Sequence, residues 1–202
     1  MDKHQIKITI LACLLISGIL VFFGLNPRKG VSNSPSYPPP IANAQGNQQT
    51  SVGSPDGKFT LDMKEDKGKD TVTYTFLMKD ESSGSQKEIY TKTVPAGTTL
   101  SIPYNTFSPD NKFIFIKETG SSQTSYFALT TSGAPIAKDA QSFDISSLFR
   151  AKYSNYNITE VTGWGGMTLI VVNTDKIDGA AGPSFWFDVS SGSFIQLSRR
   201  FD

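Results

Sequence analysis

The chain has 202 residues, with 19 lysines and arginines against 18 aspartates and glutamates. This length allows one ordinary domain with appendages, and the balanced charge argues against a nucleic-acid-binding protein. The only histidine, His4, and the only cysteine, Cys13, lie at the N-terminus, which leaves the rest of the chain without a cysteine or histidine nucleophile, a thiolate zinc site or an internal disulfide.

The first predicted element is an apolar helix over Ile8–Leu25. These 18 residues carry no charge, and as a helix they extend ~27 Å, close to the hydrocarbon thickness of a bilayer. A cleavable signal peptide would end in small residues, but the only Ala-x-Ala, at Ala42–Ala44, lies far beyond the run. We therefore predict an uncleaved transmembrane anchor within residues 1–25, with cleavage and secretion as the alternative.

Charge does not decide the orientation of this anchor. Lys3 and Lys7 precede the apolar run, and Arg28 and Lys29 follow it, so the positive-inside comparison is close to a tie. A short tail ahead of the span, with a whole domain behind it, resembles a signal anchor. We predict a single-pass protein of the cell membrane with a cytoplasmic N-terminus and an extracytoplasmic C-terminal domain.

Residues 26–53 form a predicted linker. They are rich in Pro, Ser, Asn, Gln and Gly, and they carry no charge after Lys29. Such a composition buries too little surface to fold and is typical of a disordered segment. The prolines favour an extended geometry, so we expect a semi-rigid spacer between the membrane and the domain.

Beyond residue 53, two turn signals recur. Ser54–Phe59 reads Ser-Pro-Asp-Gly-Lys-Phe, and Ser108–Phe113 repeats it with Asn in place of Gly. Asp after Pro can accept a hydrogen bond from the backbone ahead of it, and Gly or Asn tolerates the left-handed conformation of a tight turn. A second turn of small residues ends in glycine in three places. The marker residues of both turns are Pro55, Asp56, Gly57, Gly84, Pro109, Asp110, Asn111, Gly133 and Gly192.

Apolar runs between these turns predict short strands in three units, over about residues 54–97, 98–150 and 158–202. Each small-residue turn closes a hairpin, and a strand ahead of the first turn, such as Thr98–Ile102, makes four antiparallel strands per unit. Thr168–Val172 is apolar on both faces, which predicts a strand buried between two sheets. The predicted fold class is all-β.

A unit of this kind resembles the WD-repeat-like propeller blade found in TolB and in dipeptidyl-peptidase-type propellers. The matching residues are Phe107–Lys112, Ser54–Lys58 and Phe185–Ser198. The resemblance implies a partial β-propeller over residues 54–202 that serves as a binding platform. Closed propellers have four or more blades, so three units imply open sheet faces that a protein partner or a second copy covers.

One loop offers a candidate metal site. Asn173, Asp175 and Asp178 place oxygen ligands close together in the sequence, and oxygen ligands suit calcium. Their spacing differs from that of an EF-hand loop, and a solvated hairpin loop is the other interpretation. We treat the three residues as weak candidates.

A second loop offers candidate contact residues. Phe143–Asn157 is predicted as a long insertion between the second and third units, outside any strand. Long loops carry function more often than strands do. Arg150, Tyr153 and Tyr156 in this insertion are therefore the predicted partner contacts.

Two functions stay open. The first is a membrane-anchored binding or scaffold module for a protein or polysaccharide of the cell envelope, with no catalytic residue and no cofactor. The second is a carboxylate- or metal-dependent hydrolase, or an accessory subunit of an envelope enzyme, based on Asp175, Asp178 and the enzymes in which such propellers occur. We expect the first, because the domain lacks cysteine and histidine.

Overall fold

The computed structural model describes residues 50–201, which form three antiparallel four-stranded sheets and one short helix. The prediction of an all-β fold is confirmed. The predicted anchor and residues 26–49 of the predicted linker lie outside the described residues. Within residues 50–201, no helix has the length and apolar character needed to cross a membrane.

The first sheet contains β1 (Ser51–Gly53), β2 (Phe59–Lys67), β3 (Thr71–Asp80) and β4 (Gln86–Pro95), side by side in that order. Its strands are buried on one face only, because successive side chains of a strand point to opposite faces. In β3 the buried side chains are Val72, Tyr74, Phe76 and Met78.

Strand β1 corrects the predicted end of the linker. Val52 pairs with Leu61 of β2, and its neighbours pair with Thr60 and Asp62. Residues 51–53 therefore belong to the first sheet and not to the linker. The strand has Val52 as its single large apolar side chain, so its sequence contains no alternating pattern.

The middle sheet contains β5 (Thr99–Ser101), β6 (Phe113–Thr119), β7 (Thr124–Thr130) and β8 (Phe143–Asp144), again in chain order. The centres of β6 and β7 are buried without alternation. A sheet that is covered on both faces has this pattern.

The third sheet contains β9 (Tyr156–Trp164), β10 (Leu169–Lys176), β11 (Phe185–Asp188) and β12 (Ser193–Gln196). Each sheet is thus a meander whose strands are neighbours in sequence. Such local pairing follows from the short turns between the strands.

Helix α1 (Ile145–Lys152) connects the middle and third sheets. The predicted insertion over residues 143–157 is wrong as a loop, because it contains β8, α1 and the start of β9. The Asp144 carboxylate accepts a hydrogen bond from Ser147 N at 2.8 Å and caps the helix. Ile145 and Phe149 are buried on one side of α1, but two apolar residues are too few to reveal a helical period in the sequence.

The three sheets stack in chain order with a hydrophobic core on either side of the middle sheet. Ile114 and Ile116 point to the first sheet, whereas Phe115 between them points to the third. The first core includes Leu61, Met63, Phe76, Leu100, Ile114, Ile116, Phe127 and Leu129. The second includes Phe115, Tyr126, Ala128, Phe149, Ile170, Val172, Phe185, Phe187 and Phe194.

An ion pair also joins the first and middle sheets. Lys92 Nζ lies 2.6 Å from Glu118 Oε2 and 3.7 Å from the centroid of the Phe127 ring. Both charged side chains are mostly shielded from water, so their attraction is screened less than that of a surface pair. The ion pair and the cation–π contact therefore link the first sheet to the middle sheet.

Candidate binding groove

An open groove of about 510 Å³ lies where α1 and β9 approach the turn between β6 and β7. The polar side chains of its lining come from all three elements. They include Gln123, Thr124, Ser146, Arg150, Asn157 and Thr159.

Helix α1 is fixed against two sheets, which gives the groove a rigid wall. The Phe149 ring packs against Phe185 and Phe194 of the third sheet, with centroid distances of 4.9 Å and 5.2 Å. Ser146 Oγ accepts a hydrogen bond from Tyr126 N of the middle sheet at 3.1 Å. The exposed side of α1, which carries Arg150, is therefore held in a defined position.

Arg150 is the charged residue of the groove lining. Its Nη2 donates a hydrogen bond to Ser147 Oγ at 3.1 Å, and Ser147 Oγ donates to Asp144 Oδ2 at 2.7 Å. A guanidinium group beside hydroxyl and amide groups suits a ligand with carboxylate, sulfate or phosphate oxygens, because it can donate two parallel hydrogen bonds.

The structure separates the three predicted contact residues. Arg150 lines the groove, whereas the Tyr153 ring packs against Phe149 and Phe185 at 5.1 Å and 4.7 Å. The Tyr156 ring lies 5.8 Å from that of Phe185 and borders a second, shallower depression. Tyr153 thus helps to hold α1 on the third sheet, and Tyr156 packs within that sheet, roles that the order of residues in a loop does not reveal.

The groove also contains polar residues that the sequence did not suggest as contacts. Ser146 and Asn157 lie inside the predicted insertion, whereas Gln123, Thr124 and Thr159 lie outside it. Gln123 and Thr124 belong to the β6–β7 connection and the start of β7, and Asn157 and Thr159 belong to β9. They are polar residues in or beside strands, and their sequence positions look like ordinary solvated surface. The stacking of the sheets brings them together.

Asn173, the first of the weak metal candidates, is buried in β10. Its Oδ1 accepts a hydrogen bond from Ser184 Oγ, and its Nδ2 donates to the Phe201 carbonyl at 2.8 Å. The predicted loop therefore begins later than the sequence indicated. The Asn173 amide connects the third sheet to the C-terminal residues.

The two aspartates of the same candidate site are also engaged. Asp175 Oδ1 lies 2.8 Å from Arg200 Nη1, and Asp178 Oδ1 accepts a hydrogen bond from Ala180 N at 3.0 Å. Within the described residues, no group of three or more His, Cys, Asp or Glu side chains is arranged to hold a metal ion. These aspartates have local structural partners.

The two Ser-Pro-Asp turns have the same hydrogen bonds. Asp56 Oδ1 accepts from Ser54 Oγ at 2.8 Å and from the backbone N–H two residues ahead at 3.1 Å. Asp110 Oδ1 accepts from Ser108 Oγ at 2.8 Å and from the corresponding N–H at 3.2 Å. Each turn leads directly into the second strand of its sheet.

The residue after each of these aspartates has a left-handed backbone conformation. Gly57 has a φ of 71° and Asn111 a φ of 58°, a region that favours Gly and, among other residues, Asn. Asn111 lies close enough to Asp56 to contribute, as the smallest of several causes, to the lowering of its pKa. The two turns are therefore near each other across the first and middle sheets.

These turn hydrogen bonds lower the pKa of nearby carboxyl groups. The bond from Lys58 N is the largest cause for Asp56, whose pKa falls well below its ordinary value. Partial burial alone would raise the pKa of Asp188, but the bonds from Ser190 and its neighbours outweigh it. Burial alone would raise the pKa of Asp110, but its turn hydrogen bonds outweigh that effect. Bonds from Ser82 and Ser83 lower the pKa of Asp80, and bonds from Thr60 and Lys79 of the neighbouring strands lower that of Glu81. The lowered pKa values favour the ionised carboxylates that accept these bonds.

Comparison of the chain with protein-family models found no match, and comparison with curated proteins found none either. The likeness to propeller blades therefore depends on the three four-stranded sheets and on the turns that connect their strands.

Proposed function

We propose that the chain is a non-enzymatic binding module of the cell envelope, in which a partial propeller of three blades is carried on a membrane anchor. The observation that carries the proposal is the groove beside α1. The rest of the stack repeats one plan of four strands, and α1 is the element added to it. Rigid frameworks commonly present a binding surface on such an added connection.

The groove chemistry supports an anionic ligand. Arg150 supplies a positive charge, and Gln123, Asn157 and Thr159 supply amide and hydroxyl groups around it. An acidic stretch of protein or an acidic polysaccharide would receive charge-assisted hydrogen bonds here. The open form of the groove suits a chain-like ligand that continues beyond it.

The envelope location is supported by the N-terminal sequence. Ile8–Leu25 is long and apolar enough to span a bilayer, and the proline-rich residues that follow would lift the domain from its surface. An exported domain of this kind would meet polysaccharide and protein ligands outside the cytoplasm.

A hydrolase has less support. Asp175 is paired with Arg200, and Asp178 accepts a backbone hydrogen bond. Neither arrangement leaves the free pair of carboxyl groups that acid–base hydrolysis uses.

The test compares the full-length chain, kept in mild detergent, with its Arg150→Glu variant as immobilised bait for an envelope extract. Losing a charge-assisted contact costs about 1.5–3 kcal/mol, so we expect retention of the ligand to fall roughly ten-fold or more. Lys138→Glu is the matched control, because Lys138 is exposed away from the groove and the change in charge is the same.

Protease or polysaccharide-degrading treatment of the retained fraction shows which class of ligand is bound. Equal retention by the wild-type chain and by Arg150→Glu would contradict the proposed site.

A further inference from the structure

The stack of sheets has two end faces with different chemistry. The N-terminal end face is the side of the first sheet that points away from the middle sheet. It consists mainly of Thr60, Asp62, Lys64, Thr73, Thr75, Leu77, Lys79, Thr91 and Thr93. The hydroxyl groups of Thr73 and Thr93 form a hydrogen bond with each other. Thr60 Oγ1 and Lys79 Nζ both donate hydrogen bonds to the Glu81 carboxylate. Polar end faces of this kind close repeat proteins against further stacking.

The C-terminal end face is the side of the third sheet that points away from the middle sheet, and its centre is apolar. Val171, Trp186 and Ile195 pair with one another across β10, β11 and β12 and form one row. Leu169 lies beside this row, and Ile195 is 48% exposed. The C-terminal residues reach this face at Asn173, through the bond to Phe201.

Equivalent positions in the other sheets are core positions. Leu61, Phe115 and Val171 are each the third residue of the second strand in their sheet. Leu61 and Phe115 are fully buried against the next sheet, whereas Val171 has no further sheet beyond it among the described residues. Thr168–Val172 was predicted to be buried between two sheets, and the structure covers one side of it.

Exposed apolar side chains are distributed in the same way. Among residues 50–201, none of the exposed large apolar residues belongs to the first sheet. Four of the six belong to the third sheet, its turns or its C-terminal extension: Met167, Ile177, Ile195 and Phe201. Among the described residues, the C-terminal end of the stack is therefore the more apolar end.

We propose that the C-terminal end face is a dimerisation surface that pairs with the same face of a second copy of this chain. A head-to-tail pairing would place the apolar row on the polar N-terminal end face, which would desolvate hydroxyl and charged groups without partners. A pairing of like faces buries apolar side chains on both sides and closes after two copies. It also continues the face-to-face packing that the chain uses twice internally.

The charges at the two ends of the face support one orientation. Asp188 lies at one end of β11. Arg199 lies at the other end, beside the ion pair of Arg200 with Asp175, so the net charge of that end is positive. A two-fold axis along the row of Val171, Trp186 and Ile195 reverses the strand direction between the copies. The acidic end of each copy then meets the basic end of the other.

The size of the row predicts a reversible pair. Three strands ~4.8 Å apart, each contributing about four residues of ~3.3 Å, give a footprint of roughly 200 Å². Standard complexes bury ~800 Å² per partner, several times this footprint. We therefore expect a weak pair that dissociates on dilution. This inference does not depend on the groove at Arg150, which lies on α1.

Cysteine cross-linking in cells that express the full chain tests the pairing. The background is Cys13→Ser, which removes the only native thiol. On the proposed axis each Ile195 faces its own copy, so Ile195→Cys should give a covalent dimer with a short bis-maleimide. Adding Val171→Glu should reduce the yield at least five-fold. Thr93→Cys on the N-terminal end face is the matched control and should remain monomeric.

Four results would overturn the proposal. Two are the absence of a dimer from Ile195→Cys and an equal yield of dimer from Thr93→Cys. The third is an adduct whose mass includes a different protein. The fourth, seen when Cys13 is retained, is a cross-link between Ile195→Cys and Cys13 of the same chain. The last two would assign the face to another protein or to the N-terminal segment.

Tryptophan emission of the wild-type chain provides a test without any variant at the face. Trp186 lies in the apolar row, whereas Trp164 packs against Phe113 and Phe115. Dilution of the dimer should expose Trp186 and shift the emission to longer wavelength. An emission spectrum that is independent of concentration would contradict the pairing.

Discussion

At the scale of single residues, the serine of each Ser-Pro-Asp turn organises its turn. Ser108 is fully buried, and its Oγ donates to Asp110 and accepts from Phe113 N at 3.0 Å. Ser54 Oγ accepts from Phe59 N at 2.9 Å in the same way. The hydroxyl group thus satisfies a backbone N–H at the first residue of a strand.

Ser108→Ala tests this role. The variant leaves the part-buried Phe113 N–H without its acceptor, so we expect it to lower the free energy of unfolding by about 1–3 kcal/mol. Urea unfolding of the full-length chain measures the change. Ser121→Ala, at an exposed turn position, should stay within about 0.5 kcal/mol of the wild type. Indistinguishable unfolding of the two variants would show that the turn does not need the hydroxyl group.

At the scale of elements, the small-residue turns show how one sheet meets the next. Gly84, Gly133 and Gly192 are left-handed, with φ of 70°, 70° and 64°. A Cβ at Gly133 would lie 3.0 Å from Ile89 Cα of the first sheet, and one at Gly192 would lie 3.1 Å from Phe143 of the middle sheet. A Cβ at Gly84 would meet nothing within 4 Å. The turns of the middle and third sheets therefore pack against the preceding sheet. The first sheet has no preceding sheet among the described residues.

Alanine substitutions separate the two effects at these turns. Gly84→Ala adds only the strain of a left-handed alanine, about 1–2 kcal/mol. Gly133→Ala adds the same strain and a collision with backbone atoms of Ile89, so we expect it to cost a further ~1–3 kcal/mol. The two free energies of unfolding, measured in urea, give the difference. Equal losses would mean that the hairpin turn does not contact the first sheet closely.

At the scale of the whole molecule, the middle sheet belongs to both cores. Phe115 is fully buried on the side of the third sheet, and Ile114 and Ile116 are fully buried on the side of the first. Loss of the middle sheet would expose an apolar face of each neighbour. We therefore expect the three sheets to unfold together.

Phe115→Ala tests this coupling. Truncation of a buried Phe costs about 3–5 kcal/mol, and its effect should reach all three sheets. Circular dichroism reports all the strands, whereas tryptophan emission reports the third sheet, which holds Trp164 and Trp186. Both signals should shift together to lower urea concentration.

Phe201→Ala is the control for this substitution, because that side chain is 50% exposed, and it should shift both signals much less. An emission transition that separates from the circular dichroism transition would show that the third sheet unfolds independently.

The part of this fold that was predictable is the part that depends on short-range patterns. The alternation in β3 and the turns around Asp56 and Asp110 are readable from neighbouring residues. Helix α1 was missed because its apolar side is only Ile145 and Phe149, within an eight-residue helix. The first strand was missed because three residues are too few to alternate.

The candidate groove was predictable only at Arg150. Its other polar residues are Ser146 of α1 and residues of the β6–β7 connection, β7 and β9, which the fold brings together. In the sequence, nothing distinguishes Tyr153 and Tyr156 from exposed tyrosines that contact a partner. Their packing on Phe185 depends on the third sheet being in place.

The sequence by itself determined the all-β class and the repeated turns, because a strand and its turn depend on residues that lie next to one another. Only the tertiary structure decided which faces of the sheets are covered. It places Leu61 and Phe115 inside the stack and leaves Val171, an equally apolar residue at the same position of its strand, at the C-terminal end. Burial is a property of the neighbours that long-range packing supplies, and a single strand does not specify them.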